Sequence, residues 1–395
     1  MNPRENPFSP GAGSPPPELA GREQVIEDVS IALHRIRHNL SAKSVLMVGL
    51  RGVGKTVLLN RLKNDAEAEG LICVQFESPE GQNLPAMIAP NLRSALLKLD
   101  RVAGATDVVA RAVRVLGSFI GSAKINYEGM EFGFNLGKED GAADTGDLDY
   151  DLSELLQVIG IAAKAKKTAV VLFIDELQYV VEKELAALIS ALHACAQKQL
   201  PVALVGAGLP QLVGNVGKAK SYAERLFNFP VIGPLPSSSA IEALQRPVKV
   251  RGVSFNDDAV EEIVKQTQGY PYFLQEWGSN CWSVAEANLI NIDDVKLATK
   301  LAITQLDTSF FRVRFDRCTP MEKNYMRAMA EVNSLAPRSG DIAAVMKKEV
   351  NQLGPIRQSL IKKGMIYSPA HGDTAFTVPL FAEYMKRTMQ LNLQK

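Results

Sequence analysis

The residues with the clearest chemical purpose follow a short apolar stretch near position 45. Gly49, Gly54, Lys55 and Thr56 fit the spacing G-x-x-x-x-G-K-[ST] of a phosphate-binding loop. Glycines let backbone N–H groups crowd around a polyphosphate, and a helix that begins near Lys55 directs its positive end toward that charge. The sequence therefore predicts a nucleoside triphosphate cradle made of Gly49, Gly52, Val53, Gly54, Lys55, Thr56 and Val57.

Two of these residues carry side-chain chemistry. The Lys55 ammonium is expected to reach the β and γ phosphates, and the Thr56 hydroxyl to occupy one position on Mg²⁺. The alternative, a glycine-rich turn that fits the spacing by chance, is disfavoured because an apolar strand precedes the loop and an amphipathic helix follows it.

A second candidate site lies near the end of the run from Thr168 to Gln178, in which six apolar residues precede an acid pair. A continuous apolar run is typical of a strand covered on both faces, and open α/β sheets bind ligands at the carboxyl ends of such strands. Asp175 is predicted to hold Mg²⁺, and Glu176 to act as the base for an attacking water. By itself, the acid pair could equally mark the point at which a buried strand meets the N-cap of a helix, with no catalytic role.

The elements that position these residues alternate between strand and helix. Apolar patterning predicts strands over 44–48, 71–77, 168–175, 200–205 and 227–232, and helices over 24–37, 84–99 and 182–198. This alternation is typical of a parallel sheet between two layers of helices. The loop and the acid pair then lie at one edge of that sheet.

Composition limits the classes of protein. The chain of 395 residues has a net charge of only +1, so a nucleic-acid partner would need a local basic patch. No stretch approaches the roughly 20 apolar residues of a membrane helix, and the amino terminus lacks an apolar signal region. The four cysteines and four histidines share no metal-ligand spacing, so we expect free thiols in a cytoplasmic protein.

Residues outside the sheet are predicted to form further modules. Residues 1–18 read as a proline- and glycine-rich arm, and residues 101–150 as an insertion with a helix over 107–115, a hairpin over 124–136 and a mobile acidic loop over 138–151. Residues 236–310 are predicted to be a helical lid, with Pro247 ending its first helix and Trp277 and Trp282 in its core.

Residues 318–390 are predicted to contain three helices, the third opened by Pro355, and a hairpin around His371. That order is typical of a winged helix. From Cys318 onward there are 11 Lys and Arg against 6 Asp and Glu, a surplus of 11 − 6 = +5, and Arg357, Lys362 and Lys363 lie on the presumed recognition helix. Contact with double-stranded DNA and contact with a protein partner both stay open.

Taken together, the two motifs, the sequence Ala20-Gly21-Arg22-Glu23 and the modules after the sheet resemble the AAA+ ATPases, in the branch of origin-recognition-like and archaeal ATPases near the STAND ATPases. The resemblance implies ATP as the nucleotide, with Gly21 and Arg22 beside the adenine and residues 19–235 as the ATPase domain. It also implies that Arg225 is an arginine finger that reaches the γ-phosphate held by a neighbouring subunit of a homo-oligomer.

The chain departs from that family in two places, one of which is the lid turn Gly269-Tyr270-Pro271-Tyr272, which has no clear sensor arginine beside it. The strand before residue 206 ordinarily ends in a polar sensor, whereas this chain has Gly206, Ala207 and Gly208. We therefore expect a Mg²⁺-dependent ATPase that couples its nucleotide state to a winged helix, with a slow or non-catalytic nucleotide switch as the alternative.

Overall fold

The computed structural model describes residues 1–11, 13–14, 16–17, 19–101, 106–123, 137–332, 334–370 and 372–390. The chain divides into two compact units. The sheet unit comprises Arg22–Gly49 and Lys55–Ile232, and the helical unit comprises Met1–Gly21, Leu50–Gly54 and Gly233–Lys395.

The sheet unit alternates strands and helices as expected. Its elements are α1 (Glu23–Arg37), β1 (Ser44–Val48), α2 (Lys55–Ala68), β2 (Ile72–Glu77), α3 (Leu84–Asp100), α4 (Thr106–Ser122), α5 (Leu148–Ala165), β3 (Val170–Asp175), α6 (Glu182–Gln197), β4 (Val202–Gly208), α7 (Gln211–Ala219), α8 (Ala223–Leu226) and β5 (Phe227–Asn228).

The five strands form one sheet in the order β2-β3-β4-β1-β5, and every neighbouring pair is parallel. Val45 on β1 pairs with Val205 on β4, so these two strands are neighbours in the sheet. Every residue of β3 is buried, because helices cover both faces of a parallel sheet. The carboxyl ends of β1, β3 and β4 therefore meet at one edge.

The region predicted to be an insertion contributes to the core of the sheet unit. Helix α4 continues to Ser122 rather than ending near residue 115, and its residues Val109, Leu116 and Phe119 are at most 1% exposed. The acidic loop is held by Asp151, which accepts hydrogen bonds from Ser122, Thr145 and Gly146. The predicted hairpin over 124–136 lies outside the described residues.

The helical unit contains mostly short helices. Its elements are a 3₁₀ turn (Pro3–Glu5), α9 (Ser237–Lys249), β6 (Ser254–Phe255), α10 (Asp257–Thr267), α11 (Pro271–Val284), β7 (Leu289–Ile290), α12 (Ile292–Thr308), α13 (Phe310–Asp316), α14 (Pro320–Glu331), α15 (Ser339–Met346), α16 (Val350–Lys362), β8 (Ile366–Tyr367), β9 (Ala375–Phe376) and α17 (Phe381–Thr388).

Two helix boundaries predicted from proline are wrong. Pro247 lies inside α9, and Pro355 lies five residues into α16 rather than at its start. An internal proline removes one backbone hydrogen bond, but burial of the apolar face on both sides of it outweighs that loss. Leu353 and Leu360 form that buried face in α16.

The amino-terminal arm is ordered against α11. Phe8 is 4% exposed, and a Cβ atom at Gly278 would lie only 2.6 Å from its ring. The Asn6 amide donates to the hydroxyl of Ser279, and the Trp282 indole donates to the carbonyl of Asn2. Trp282 is buried, as is Trp277, which confirms their predicted place in the core.

The carboxyl-terminal part contains the predicted helices and hairpin. Strands β8 and β9 pair antiparallel, and α14, α15 and α16 precede them. The patterning did not indicate α13 or α17, which are short and carry the aromatic residues Phe310, Phe311, Phe381 and Tyr384. Within the described ranges, no helix combines the length and apolar character needed to cross a membrane.

Candidate nucleotide site

The loop after β1 has the backbone that a phosphate cradle needs. The amide of Gly49 donates to the carbonyl of Gly208 at 3.1 Å, which ties the start of the loop to the end of β4. Gly52 and Gly54 have φ values of +83° and +91°, where a side chain would be strained. Helix α2 begins at the very next residue, Lys55, so the loop leads directly into a helix N-terminus.

The Lys55 side chain folds back along this loop. Its ammonium donates to the Gly49 carbonyl at 3.0 Å, and the residue is only 7% exposed. A lysine is rarely so buried without a partner for its charge. The side chain is therefore held beside the loop that precedes it.

The structure brings Thr56 and Asp175 into direct contact across 119 residues of sequence. The Thr56 hydroxyl donates to Asp175 Oδ2 at 2.6 Å, and the Glu176 amide donates to Asp175 Oδ1 at 2.8 Å. Burial raises the pKa of the Asp175 carboxyl above its ordinary value, and the hydrogen bonds from Thr56 and Glu176 partly offset that rise. A hydroxyl and a carboxylate, both oxygen donors of the kind that Mg²⁺ prefers, thus converge at the end of β3.

Glu176 occupies an unusual backbone conformation. Its φ of +55° and ψ of +35° lie in the left-handed region, which non-glycine residues seldom adopt. A 3₁₀ turn over Leu177–Tyr179 follows at once. The sharp turn takes the chain away from β3 and leaves the Glu176 side chain at the edge of the sheet.

Sequence reasoning missed one residue of this site, Gln178. Its side-chain amide donates to Glu176 Oε2, and its carbonyl oxygen accepts from the amide of Leu209 at 2.9 Å. Gln178 is 9% exposed. Its position three residues after Asp175 was the available signal, but a glutamine there is not by itself diagnostic of any chemistry.

The packing around β4 leaves no room for a side chain at Gly206 or Gly208. A Cβ atom at Gly206 would overlap the side chains of Leu177 and Leu46. A Cβ atom at Gly208 would lie 2.8 Å from Gln178 Oε1 and 2.8 Å from the Leu212 side chain. The space beside these two glycines is therefore filled by Leu177 and Gln178 of the turn that follows Asp175, together with Leu46 and Leu212.

Two further hydrogen bonds of the phosphate loop, and Gly21, lie within the helical unit. The amide of Arg51 donates to the carbonyl of Thr377 at 3.1 Å, and the amide of Tyr272 donates to the carbonyl of Gly52 at 3.1 Å. Gly21, predicted beside the adenine, has a φ of +68°, and a Cβ there would lie 2.9 Å from the hydroxyl of Ser239.

Arg22, the other residue predicted beside the adenine, belongs to the sheet unit and precedes α1. Burial lowers the pKa of its guanidinium, and the neighbouring Glu23 carboxylate acts in the opposite direction. Gly21 and Arg22 are adjacent in sequence, and the boundary between the two units falls between them.

Arg225 lies at the opposite edge of the sheet from Gly49. It is an exposed residue of α8, two positions before Phe227, which pairs with Ser44 at the amino end of β1. Since β1 has five residues and a strand rises about 3.3 Å per residue, roughly 13 Å of strand separates the two edges. Arg225 lines a cavity of about 290 Å³ there, together with Lys43.

Two of the three basic residues predicted to contact DNA make internal contacts. The Arg357 guanidinium donates to Thr374, to Ser368 and to the carbonyl of Asp373, which fastens α16 to the hairpin. The Lys363 ammonium lies 2.7 Å from the Glu322 carboxylate. Lys362 is exposed.

The Glu322–Lys363 pair is part of the buried framework of this region. Burial opposes ionisation of Glu322, but hydrogen bonds from Lys363, Ser359 and the Thr319 amide stabilise the carboxylate and lower its pKa to about 2. The Lys363 ammonium is therefore paired with Glu322 in the folded protein.

No alternative metal centre competes with this site in the part of the chain that the structure describes, where no three His, Cys, Asp or Glu side chains converge. The four cysteines are buried and form no disulfide, as expected from their spacing. Burial raises the pKa of Cys73, Cys195 and Cys281 to about 12, so these thiols stay protonated.

Comparison with known proteins agrees with this geometry. Residues 18–205 match the model of the AAA ATPase domain, and residues 308–385 match a domain of unknown function, DUF8462. A search of curated proteins found no match.

Among solved structures, the Walker-type ATPase PABY2304 of Pyrococcus abyssi is 15% identical with a TM-score of 0.60, covering 93% of this chain and 96% of its own. At that identity, the likeness shows the fold alone. The Orc1 protein of Aeropyrum pernix in complex with DNA is 14% identical with a TM-score of 0.45, covering 94% of each chain. The Holliday junction branch migration motor RuvB of Thermotoga maritima is 16% identical with a TM-score of 0.43, covering 94% and 97%.

The packing at Gly206 makes a first prediction. The variant Gly206→Ala should lower the free energy of unfolding by about 1–3 kcal/mol, because the added methyl group overpacks a filled core. Chemical denaturation measures this change. Gly214→Ala is the matched control: a Cβ there would meet nothing within 4 Å, and the residue lies within α7. The control should be neutral or stabilising by up to about 1 kcal/mol, and equal effects at both positions would contradict the packing argument.

Proposed function

We propose that this chain, whose residues 18–205 form an ATPase domain of the AAA+ P-loop class, binds ATP with Mg²⁺ and hydrolyses it to ADP and phosphate. The observation that carries the proposal is the 2.6 Å hydrogen bond between Thr56 and Asp175. It joins the last residue of the phosphate-loop motif to the acid at the end of β3, which are the two side chains that this chemistry needs together.

The residues present fit both groups. Gly52 and Gly54 have positive φ values, a conformation that suits glycine and that backbone cradles for phosphate require. The oxygen atoms of Thr56 and Asp175 converge as Mg²⁺ ligands would. In this proposal ATP is held by Gly21, Arg22, Gly49, Gly52, Val53, Gly54, Lys55, Thr56 and Val57. Bound Mg²⁺ supplies positive charge that offsets the charge on the phosphates.

Each protein group then has one task. The Lys55 ammonium, now on the Gly49 carbonyl, turns to the β and γ phosphates. Thr56 and Asp175 hold the metal, and the Glu176 carboxylate orients the attacking water and accepts its proton.

Arg225 acts in trans in this proposal. Because it lies at the amino edge of the sheet, roughly 13 Å of strand away from the edge that carries Gly49, it serves a nucleotide bound by another protomer. The active form is therefore a homo-oligomer, with Arg225 of one protomer at the γ-phosphate of the next.

The C-terminal region reads the state of the nucleotide. Within the helical unit, hydrogen bonds from Tyr272 to Gly52 and from Arg51 to Thr377 attach loop residues to α11 and to the end of β9. Tyr272 also stacks on Phe310 with ring centroids 4.7 Å apart. A shift of the loop on hydrolysis would therefore reach residues 318–390, which we propose to be a winged helix. The buried, unpaired thiols accord with a reducing, cytoplasmic location.

A second candidate function is a slow or non-catalytic nucleotide switch. It is favoured by the residues Gly206, Ala207 and Gly208, which offer no polar side chain at the end of β4. In that role the bound nucleotide sets the conformation, and the C-terminal module binds a protein.

Two variants separate these functions. Lys55→Ala should abolish ATP binding, because the β and γ phosphates lose their cation. Glu176→Gln should bind ATP within about twofold of the parent while its turnover falls at least about 100-fold. Fluorescent-nucleotide titration and a phosphate-release assay measure the two properties. Normal hydrolysis by the Gln variant would show that Glu176 is not the base, and a parent protein that binds ATP without turnover would establish the switch.

The trans role of Arg225 has its own test. Arg225→Ala should leave the affinity for ATP unchanged but remove the rise in specific activity with protein concentration, because each site then lacks its neighbour's cation. Arg61→Ala, which removes an exposed arginine paired with Asp65 on α2, is the matched control. Activity that is the same in monomer and oligomer would exclude a finger.

The partner of the C-terminal module is tested by salt. Arg357 and Lys363 make contacts within their own module, so of the three basic residues we expect only Lys362 to contact a DNA duplex. We therefore expect weak duplex binding and a protein as the partner of this module. Fluorescence anisotropy with a duplex should give a slope of log K against log [salt] no steeper than about −2. A slope near −6, reduced by about one in Lys362→Ala, would instead establish DNA contact.

A further inference from the structure

The Gln178 side chain joins the carboxylate of Glu176 to the backbone at the end of β4. Its amide nitrogen donates to Glu176 Oε2, and its carbonyl oxygen accepts from the Leu209 amide at 2.9 Å. These two partners determine the orientation of the amide, because a carboxylate can only accept and a backbone N–H can only donate. Reversing the group would break both hydrogen bonds.

The turn that carries Gln178 is itself held in place. The Tyr179 amide donates to the Glu176 carbonyl at 3.0 Å, and the Val180 amide donates to the Leu177 carbonyl at 3.1 Å. Leu177 is fully buried in the space that the absent side chain at Gly206 leaves. Gln178 therefore has little freedom to change its contacts.

The sequence of β4 is adapted to this arrangement. Gly208 has an extended backbone and no positive φ, so its lack of a side chain is not required by conformation. A Cβ atom there would lie 2.8 Å from Gln178 Oε1, closer than van der Waals contact allows. The Gln178 amide therefore occupies the space at the end of β4 that a side chain at position 208 would fill.

We propose that Gln178 is the positioning residue for Glu176, and that its amide holds the Glu176 carboxylate in the orientation that hydrolysis requires. The inference rests on the proposed function, since it assigns a role in the hydrolysis for which Glu176 is the base. Gln178 takes no part in bond making or breaking. Its side chain holds the Glu176 carboxylate and, through the Leu209 amide, links that carboxylate to the end of β4.

The test is Gln178→Leu in the full chain, which keeps the volume of the side chain and removes both hydrogen bonds. We expect kcat for ATP to fall about 10- to 100-fold, because the base loses its orientation. KM and the affinity for a fluorescent ATP analogue should stay within about twofold, since the hydrogen bonds of Gln178 go to Glu176 and Leu209 and not to the phosphate loop. Gln157→Leu is the control: Gln157 bonds only to Ser153 on its own helix, and kcat should be unchanged.

A parallel fall in kcat and affinity, or a kcat equal to or above that of the parent, would overturn the inference. A crystal structure of Gln178→Leu provides a readout that needs no turnover: Glu176 should lose its single side-chain position while the Thr56–Asp175 contact persists. A Glu176 carboxylate that stays in place would also overturn the inference. Failure of the proposed function shows separately, as a parent without turnover or a Glu176→Gln variant with normal turnover.

Discussion

The hydrogen bond between Thr56 and Asp175 is the contact on which the rest of the site depends. It can form only if β1 and β3 end at the same edge of the sheet, and β4 between them sets that alignment. The parallel order of the strands therefore converts two motifs 119 residues apart into one pair of oxygen ligands. The buried position of Asp175 then favours a cationic partner, because burial alone raises the carboxyl pKa.

A second constraint is steric and comes from β4. Gly206 and Gly208 leave room for Leu177 and Gln178, so the turn after Asp175 can lie against the strand end. At the start of that turn Glu176 has a left-handed backbone conformation, and its carboxylate accepts a hydrogen bond from the Gln178 amide. The two glycines on β4 and the position of Gln178 therefore belong to one packing arrangement.

The helical unit shows how residues of the phosphate loop are tied to remote parts of the chain. The Arg51 amide donates to the Thr377 carbonyl, and the Gly52 carbonyl accepts from the Tyr272 amide. Tyr272 belongs to a cluster of aromatic rings that includes Phe310, and Phe311 packs on Phe381 and Tyr384 farther along the chain. Backbone hydrogen bonds of this kind do not depend on side-chain type, so no sequence motif indicates them.

Sequence patterning by itself determined the sheet, the phosphate loop and the acid pair, because these features depend on local periodicity and on short spacings. It also indicated correctly that Trp277 and Trp282 belong to a core. It failed where packing overrides local preference: Pro247 and Pro355 lie within helices because buried neighbours compensate the lost hydrogen bond. Only the tertiary structure decided that Phe8 of the arm is buried against α11, that Arg357 and Lys363 serve their own module, and that Gln178 holds Glu176. Each of these depends on a partner distant in sequence, or on which of several polar groups lies within hydrogen-bonding distance, and local patterning contains neither.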